Sequence, residues 1–412
     1  MVYPHEAAVL TLRRTKRLPA SSPRNTRLKP TGGTSRNGAW DSKGYCVQDQ
    51  PWSGGVAKVH LPRVKSIEEA FERLVEIQAS DLLLSCGSPP RVRKDGQLEL
   101  LDANEAPLKP ADTERLLKEI LQPGDWRVLQ KRRQVDFAFT WRDRVRVRAN
   151  AYFQRDSIAA AFRLLPLEIP GFELLGLPES VHRLLERHQG LILVTGPTGS
   201  GKSTTLAAML DFLNKTRPFH IITFEDPIEY IHKHRLSVID QRQIGDDTLS
   251  FAEGLRSAFR EDPDVVLIGE MRDLDTMSAA LTIAETGHLV FATLHTNDAP
   301  QAINRIVDSF SGAQQQQVRV QLATCLAGVL YQQLSRAVGG GRVAAFEVLV
   351  ANIAVRSMIK EGKVDQLRSV LQTGLRDGSQ TLERSLSQLL RAGMITDRDA
   401  RSHSLYPLEI HA

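Results

Sequence analysis

The sequence predicts an α/β protein in which a doubly wound α/β domain follows a small α+β domain and a basic N-terminal extension. Beyond about residue 179, short apolar runs alternate with helical stretches, which is the pattern of parallel strands covered by helices. In Pro166–Gly171, prolines and a glycine break the pattern and indicate a linker. We therefore expect a disordered extension at 1–62, a small domain at 66–165, a linker at 166–178 and an α/β domain at 179–405.

The extension carries the basic charge of the chain. Residues 1–65 contain twelve Lys or Arg and three Asp or Glu, a net charge of +9 (12 − 3), whereas the whole chain carries +5. The remainder is therefore mildly acidic, at −4 (5 − 9), which argues against a nucleic-acid partner. Prolines and paired glycines without a sustained apolar period predict disorder in the extension. A solvated tail and a patch for anionic lipid or a partner both fit this composition.

Length and cysteine content limit the kinds of protein that fit this sequence. A chain of 412 residues is long enough for two or three domains. Its three cysteines form no CxxC pair, which argues against a disulfide framework and a cysteine-rich zinc site. No apolar run approaches the roughly 20 residues that cross a bilayer, so we expect a cytoplasmic protein.

The small domain opens with a helix whose start is marked in the sequence. Ser66 stands at the N-cap position, Glu69 stands at the capping-box position, and the apolar residues after them share one helical face. Lys94–Gly96 predicts a hairpin turn, and Ala111–Leu121 predicts a second amphipathic helix. Strand-like runs begin at Val135, Val145 and Ile158.

The α/β domain contains short apolar runs that predict buried parallel strands. These runs are Leu191–Thr195, His220–Phe224, Val265–Ile268 and Leu289–Leu294. Residues 353–405 are predicted to be mainly helical. The leucines that share one face of this helical part are Leu382, Leu386, Leu389 and Leu390.

A phosphate-binding loop follows the first of these strands. It matches the pattern GxxxxGK[ST], and it lies between a strand that ends at Thr195 and a predicted helix. Glycines let backbone N–H groups close around phosphate oxygens, and the helix N-terminus adds its positive end. Lys202 is expected to reach the phosphates of ATP and the Ser203 hydroxyl to bind Mg²⁺, whereas a glycine-rich turn with an exposed lysine is the alternative. The expected nucleotide-binding residues are Gly196, Pro197, Thr198, Gly199, Ser200, Gly201, Lys202, Ser203 and Thr204.

Carboxylates follow the next two strands. Glu225 and Glu229 are expected to position water or to hold the hydration shell of the metal, with capping of the next element as the alternative. Glu270 stands in the position of the Walker B acid, although Gly269 replaces the aspartate that usually precedes it. We expect Glu270 to polarise the attacking water, with a surface salt bridge as the alternative.

A histidine follows the fourth strand at the edge where the other site residues gather. His295 is expected to contact the γ-phosphate and to report its presence, with a purely structural histidine as the alternative.

In combination, these four elements resemble the nucleotide boxes of the type II/type IV secretion ATPase superfamily. The segments Gln241–Gly245, Arg260–Asp264 and Ala345–Val350 are similar to the retraction ATPases of type IV pili, which drive twitching motility. The similarity runs from about residue 66 to 400. It implies a PAS-like N-terminal domain, a RecA-like P-loop ATPase domain, a ring-shaped homohexamer and ATP hydrolysis that powers pilus retraction.

The resemblance also implies a membrane partner and catalytic arginines. The partner is the pilus platform protein, so the chain is expected to lie peripherally at the inner face of the cytoplasmic membrane. Arg148 and Arg163 match arginines that the N-terminal domain supplies to the phosphates, with one solvated strand face as the alternative. The Ala-Ile-Arg-Asn-Leu motif of the retraction family reads Ala354–Met358 here; Arg356 is retained, but Ser and Met replace Asn and Leu.

Three other functions use a similar nucleotide site. Pilus assembly and type II secretion ATPases typically carry a tetracysteine zinc module and a longer N-terminal domain, which this sequence does not show. A RecA-like nucleic-acid motor needs a basic binding face. A regulator that binds ATP without hydrolysis does not need Lys202, Ser203, Glu270 and His295 together.

Overall fold

The structure, a computed structural model, describes residues 64–94, 96–142, 145–166 and 168–411. These residues lie within one compact unit, His60–Ala412. The disordered extension predicted for residues 1–62 lies outside the described residues and remains a prediction.

The N-terminal part is built on an antiparallel sheet. Its strands are β1 Asp81–Leu84, β2 Arg91–Lys94, β3 Gln97–Leu100, β4 Gln134–Trp141, β5 Val145–Gln154 and β6 Ser157–Pro166. They are ordered β3-β2-β1-β6-β5-β4. The helices are α1 Ile67–Glu76, α2 Pro110–Lys118 and α3 Pro123–Arg132, of which α3 was not predicted. Helix α1 begins where the sequence marks it, because the Ser66 hydroxyl accepts a hydrogen bond from the Glu69 N–H at 3.2 Å.

An aromatic cluster joins α1 to this sheet. The ring of Phe71 lies 5.4 Å from that of Phe162 and 5.9 Å from those of Phe139 and Trp141. Along β5, Val147, Ala149 and Ala151 are buried in the core. Because side chains alternate along a strand, the intervening arginines of β5 point to the opposite face.

The C-terminal part is built on a seven-stranded sheet. Its strands are β7 Gly190–Thr195, β8 His220–Glu225, β9 Val238–Gln243, β10 Val265–Ile268, β11 Leu289–Leu294, β12 Leu326–Arg336 and β13 Arg342–Val350. Its helices are α4 Phe172–Leu175, α5 Glu179–Leu185, α6 Lys202–Thr216, α7 Phe251–Ala258, α8 Leu274–Glu285, α9 Ala299–Asp308, α10 Gly312–Cys325, α11 Ile353–Lys360, α12 Leu367–Thr373, α13 Leu382–Arg391 and α14 Asp397–Ser402.

The strand order in this sheet is β13-β12-β7-β11-β10-β8-β9. All neighbours pair in parallel except β12 and β13, which pair antiparallel. The four predicted strands are confirmed, whereas β9, β12 and β13 were not predicted as strands. The carboxyl ends of the parallel strands meet at one edge, where ligands of such sheets bind.

The helices after β13 pack as their leucine pattern predicts. Leu382 and Leu386 of α13 are buried against Tyr331 and Ala345 of the β12–β13 pair. On the same face of β12 as Tyr331, Gln333 places its Nε2 2.6 Å from Nδ1 of His403. The predicted helical part is thus docked on the outer strands of the sheet.

The segment Ala354–Met358 forms most of α11, and its arginine anchors that helix. Arg356 donates to the carbonyl oxygens of Ala323 and Thr324 at 2.5 Å and of Leu326 at 2.8 Å. A guanidinium there satisfies carbonyl groups at the end of α10 and complements the helix dipole. Arg356 therefore fixes α11 against the start of β12.

None of the helices in the described part of the chain is long and apolar enough to cross a membrane.

Candidate functional site

The phosphate-binding loop connects β7 to α6 and depends on its glycines. Gly196, Gly199 and Gly201 have φ angles of 144°, 79° and 90°, in the region that favours glycine. At Gly196, a Cβ would lie only 2.2 Å from the carbonyl oxygen of Gln332. The loop therefore passes directly over the backbone of β12, and a side chain at its first position would displace it.

Lys202 is the first residue of α6 and is only 8% exposed. Its Nζ donates to the carbonyl oxygens of Gly196 and Pro197 at 2.8 and 2.9 Å, inside the loop. Burial lowers the pKa of this ammonium, while the carboxylates of Glu270 and Glu229 act in the opposite direction. A cation is thus held at the centre of the loop.

The donors of this loop fit phosphate groups. The Ser200 hydroxyl is buried and lacks a hydrogen-bond partner among the described residues. Together with the N–H groups at the start of α6 and the Lys202 ammonium, it forms a set of donors without a carboxylate among them. This donor set supports the prediction that residues 196–204 bind the phosphates of a nucleotide.

Gln332 supports the loop from the side of β12, and no sequence pattern predicted this role. It is 2% exposed, and its Oε1 accepts a hydrogen bond from the Thr205 hydroxyl of α6 at 2.7 Å. The strand β12 thus holds the loop with its backbone and the following helix with a side chain. No local pattern marks this contact, because the two residues are 127 positions apart.

Glu270 follows β10 and lies between two basic side chains. Its Oε2 is 2.7 Å from Nη2 of Arg272, and its Oε1 is 3.2 Å from Nε2 of His295. Burial opposes ionisation of this carboxyl, but the hydrogen bonds and charges of Arg272 and His295 outweigh it and lower the pKa of Glu270. Nδ1 of His295 is in turn 3.5 Å from Nζ of Lys202. The residues predicted separately as base, sensor and phosphate ligand therefore form one contiguous series.

Gly269 stands where the Walker B motif usually has an aspartate, and the structure gives a reason. A Cβ at this position would lie 3.1 Å from the carbonyl oxygen of Phe224 and 3.3 Å from Cα of Glu225. Strand β8 is therefore too close for an aspartate to fit without a shift of the backbone.

Glu225, at the end of β8, has different surroundings from Glu270. Its Oε1 accepts hydrogen bonds from the Thr223 hydroxyl at 2.7 Å and from Nε2 of Gln241 at 3.1 Å. Burial nevertheless outweighs these bonds and raises the pKa of Glu225. The carboxyl borders a cavity of about 40 Å³. Its polar walls include Ser203, Glu225, Tyr230, His232 and Thr293.

His232 is a further residue at this cavity, and no sequence pattern predicted it. Its Nδ1 is buried without a hydrogen-bond partner among the described residues. Burial lowers the pKa of this imidazole to about 4, so the side chain is neutral at physiological pH.

The segment Asp226–His232, which we call the acidic loop, contacts arginines of the six-stranded N-terminal sheet, the smaller of the two sheets. Nη1 of Arg148 lies 3.4 Å from Oε1 of Glu229, and Nε of Arg146 donates to the carbonyl oxygen of Ile228 at 3.3 Å. Arg146 was missed as a site residue, although its spacing of two from Arg148 on β5 places both on one face.

Arg163 is the cross-strand neighbour of Arg148 between β6 and β5, but its side chain has a different partner. Its Nε donates to Oδ1 of Asp81 at 2.9 Å, and the two residues are directly paired between β6 and β1. More than half of its side chain is exposed. The structure thus brings Arg148, but not Arg163, to the acidic loop.

A metal beside Ser203 would need ligands from outside the protein. Among the residues that the structure describes, no group of three or more His, Cys, Asp or Glu is arranged to hold a metal ion. Mg²⁺ commonly takes one or two protein oxygens and completes its shell with phosphate oxygens and water. The exposed Ser203 in the second position of α6 fits that mode of binding.

The loop after β7 holds a buried lysine, and beside it a glutamate pairs with a histidine at the carboxyl edge of a mostly parallel sheet. These features define the class of this protein as a P-loop ATPase. The family model described as "Type II/IV secretion system protein" matches residues 175–341. The type IV pilus retraction ATPase PilT of Pseudomonas aeruginosa is 45% identical over 80% of this chain and 95% of its own length. The twitching motility protein of Neisseria gonorrhoeae is 44% identical over 76% of this chain and 83% of its own.

A solved structure agrees with these relatives. The crystal structure of the pilus retraction motor PilT with bound ADP matches at a TM-score of 0.77 and 49% identity, over 84% of this chain and 98% of that chain. The chain therefore belongs to the type II/IV secretion ATPase family, in the part of it that contains the pilus retraction ATPases. The predicted fold class is confirmed, and nucleotide use follows from this membership.

Proposed function

We propose that this chain is a homohexameric motor that hydrolyses ATP, with Mg²⁺, to power retraction of type IV pili. The observation that carries the proposal is the contiguous series Lys202, His295, Glu270 and Arg272 at the carboxyl edge of the sheet. This arrangement supports hydrolysis rather than binding alone, because the glutamate is ionised by its neighbours and lies close to the phosphate loop. The similarity to PilT supports the choice of pilus retraction.

In the proposed reaction, Lys202 and the loop N–H groups bind the β- and γ-phosphates of ATP, and the Ser203 hydroxyl would hold Mg²⁺. Mg²⁺, when bound, neutralises charge on the phosphate oxygens. Glu270 accepts a proton from the attacking water as the new P–O bond forms and the bond to ADP breaks. His295 stays in contact with Glu270 and Lys202, and it thereby senses whether the γ-phosphate is present.

The smaller sheet is proposed to respond to this chemistry. Arg148 neutralises charge near the phosphates, and Arg163 remains a second candidate for that role if its pair with Asp81 opens. Glu225 and Glu229 orient water and would hold the hydration shell of a bound Mg²⁺. The proposed hinge is the predicted linker at 166–178, between a PAS-like and a RecA-like domain.

The partners are proposed from the family. The ring would act at the cytoplasmic face of the inner membrane, against the pilus platform protein, and no nucleic acid is expected. Expression of the chain in a Pseudomonas aeruginosa strain without PilT tests the retraction function. Restored twitching zones are expected; hydrolysis without any change in twitching contradicts retraction while leaving the ATPase intact.

The first experiment is steady-state ATPase activity of the wild type and Lys202→Ala, together with the mass in solution. Loss of Mg²⁺-dependent hydrolysis by at least about 100-fold is expected in the variant. The particle is expected to have six times the chain mass of 45.9 kDa. Lys215→Ala is the matched control, because this lysine lies on the same helix and pairs with Asp211 at the surface. A monomer without hydrolysis would favour a nucleotide-binding regulator.

A further inference from the structure

A buried tyrosine hydroxyl contacts the phosphate-binding helix. Tyr230 lies in the acidic loop and is 5% exposed. Its hydroxyl is 2.9 Å from the hydroxyl of Thr204, the third residue of α6. Thr204 belongs to the predicted nucleotide-binding residues, whereas nothing in the sequence pattern assigned a role to Tyr230.

Two glutamines fix the acidic loop so that this contact is maintained. Oε1 of Gln241 accepts from the N–H of His232 at 2.8 Å, and its Nε2 donates to the carbonyl oxygen of Tyr230 at 2.8 Å. Oε1 of Gln243 accepts from the N–H of Ile228 at 3.2 Å. The backbone on both sides of Tyr230 is thus tied to β9, and the tyrosine ring has little freedom to move away from α6.

The chemistry of the two hydroxyls favours one direction of the hydrogen bond between them. Each hydroxyl has one hydrogen to donate and lone pairs to accept. Either hydroxyl can donate across this contact, and because a phenol is a stronger donor than an aliphatic alcohol, donation by Tyr230 to the Thr204 oxygen is favoured. The single hydrogen of Thr204 is then left to donate to another acceptor, and a nucleotide phosphate oxygen is the acceptor that the adjoining loop is built to hold.

We infer that Tyr230 is a positioning residue for nucleotide binding, which orients the Thr204 hydroxyl towards the phosphates. This inference rests on the proposed function of the loop as a nucleotide site. It also gives the acidic loop a second task, because Ile228 and Glu229 of the same loop contact Arg146 and Arg148 of the smaller sheet. Tyr230 therefore links the nucleotide helix to the arginine-bearing strand β5 by contacts on both sides of one loop.

The test is a double-mutant cycle with Tyr230→Phe and Thr204→Val. Binding of Mg²⁺–ADP to the full chain is measured by titration calorimetry, and KM and kcat for ATP are measured beside it. Each single variant is expected to weaken ADP binding and raise KM by about 3- to 10-fold, with kcat changed less than about 2-fold. The double variant is expected to be no weaker than Thr204→Val, because both changes remove the same interaction.

Two controls separate positioning from general damage. Tyr331→Phe removes another buried tyrosine hydroxyl, bonded to Gln333 on the opposite face of the sheet, and should leave ADP binding unchanged. Thr204→Ser keeps the hydroxyl, so adding Tyr230→Phe to it should again weaken binding by about 3- to 10-fold. The melting temperature of each variant shows whether it is folded.

Unchanged ADP binding in Tyr230→Phe overturns the inference, and so do additive effects in the double variant. The outcome is distinct from failure of the motor function. A wild type that binds ADP with the expected coupling, but moves no pili, supports Tyr230 and contradicts retraction. A wild type that binds no nucleotide overturns both.

Discussion

The ends of two neighbouring strands, β8 and β10, each carry a glutamate, but their surroundings give the two carboxyls opposite properties. Glu270 is flanked by Arg272 and His295, which lower its pKa. Glu225 accepts hydrogen bonds from the neutral groups of Thr223 and Gln241 and from the Glu229 backbone, but burial outweighs these bonds and raises its pKa. Carboxyls whose environments push their pKa values apart commonly divide the roles of base and structural or acidic group. The comparison therefore supports the proposal that Glu270 accepts the proton and that Glu225 is a positioning group.

The largest expected effect separates these two residues directly. Glu270→Gln should lower kcat by roughly 10²- to 10⁴-fold, because the amide cannot accept the proton of the attacking water. Glu225→Gln should lower kcat by about 10-fold or less, because an amide oxygen still accepts from Thr223 and Gln241. Single-turnover hydrolysis checks both, with ADP affinity as the control for an intact loop. Equal losses in the two variants would remove the proposed division of roles.

A second experiment removes a neighbouring charge that lowers the pKa of Glu270 and leaves both glutamates in place. Arg272→Ala removes a charge that lowers the pKa of Glu270, so that pKa rises and protonation begins at higher pH. The acid limb of the kcat–pH profile should move to higher pH, and solvent screening limits the move because Arg272 is mostly exposed. Arg272→Lys, which keeps the charge, should lie between the alanine variant and the wild type. An unmoved acid limb would mean that Glu270 is not the group that titrates.

The smallest expected effect concerns a third glutamate, on β13, where burial again raises the pKa of a carboxyl. Glu347 of β13 is 2% exposed, and its Oε1 accepts from the N–H of Ala299 at the start of α9 at 2.9 Å. Burial raises its pKa from 4.5 to about 7. Nearby carboxyls of Asp298 and Glu383 add to this shift, and Arg368 opposes it.

The sign of the resulting pH dependence follows from linkage. Between pH 4.5 and 7 the folded chain binds a proton at Glu347 that the unfolded chain has lost, so this group's contribution to stability falls as pH rises through that range. Glu347→Gln keeps the acceptor for Ala299 without the charge. At pH 8 the free energy of unfolding of the variant should exceed that of the wild type by on the order of 1–3 kcal/mol, with the gain absent near pH 4. Urea unfolding at the two pH values measures it; a constant difference would show that ionisation of Glu347 is not the cause.

The parts of the site that the sequence predicted are those encoded by local spacing. The loop 196–204 and the strand ends at Glu225, Glu270 and His295 follow from short patterns and from the rule that parallel strands share one carboxyl edge. Their pairing with one another was not predictable, because it depends on the order of strands in the sheet. Gln332 shows this clearly, since its contact with Thr205 joins distant segments.

The misses in the fold have similar causes. Strand β9 reads Val-Ile-Asp-Gln-Arg-Gln, too polar for a buried strand, because it lies at the edge of the sheet. Strand β12 follows α10 with no turn residue between them, so no signal separated helix from strand. Arg163 matches a family pattern, and its register on β6 places it opposite Asp81; its role at the phosphates stays a prediction.

Two consecutive glutamines of β12 contact opposite sides of the sheet. Gln332 faces the nucleotide helix through Thr205, and Gln333 faces the C-terminal helices through His403. Because strand side chains alternate with a period of two, a deletion of one residue before this pair would exchange their faces. The nucleotide helix and the C-terminal helices would then both lose their contacts with β12. A substitution in β12 affects the contacts of one face of the strand, whereas an insertion or deletion of one residue affects both. We therefore expect the length of β12 to be more strictly constrained than its side chains.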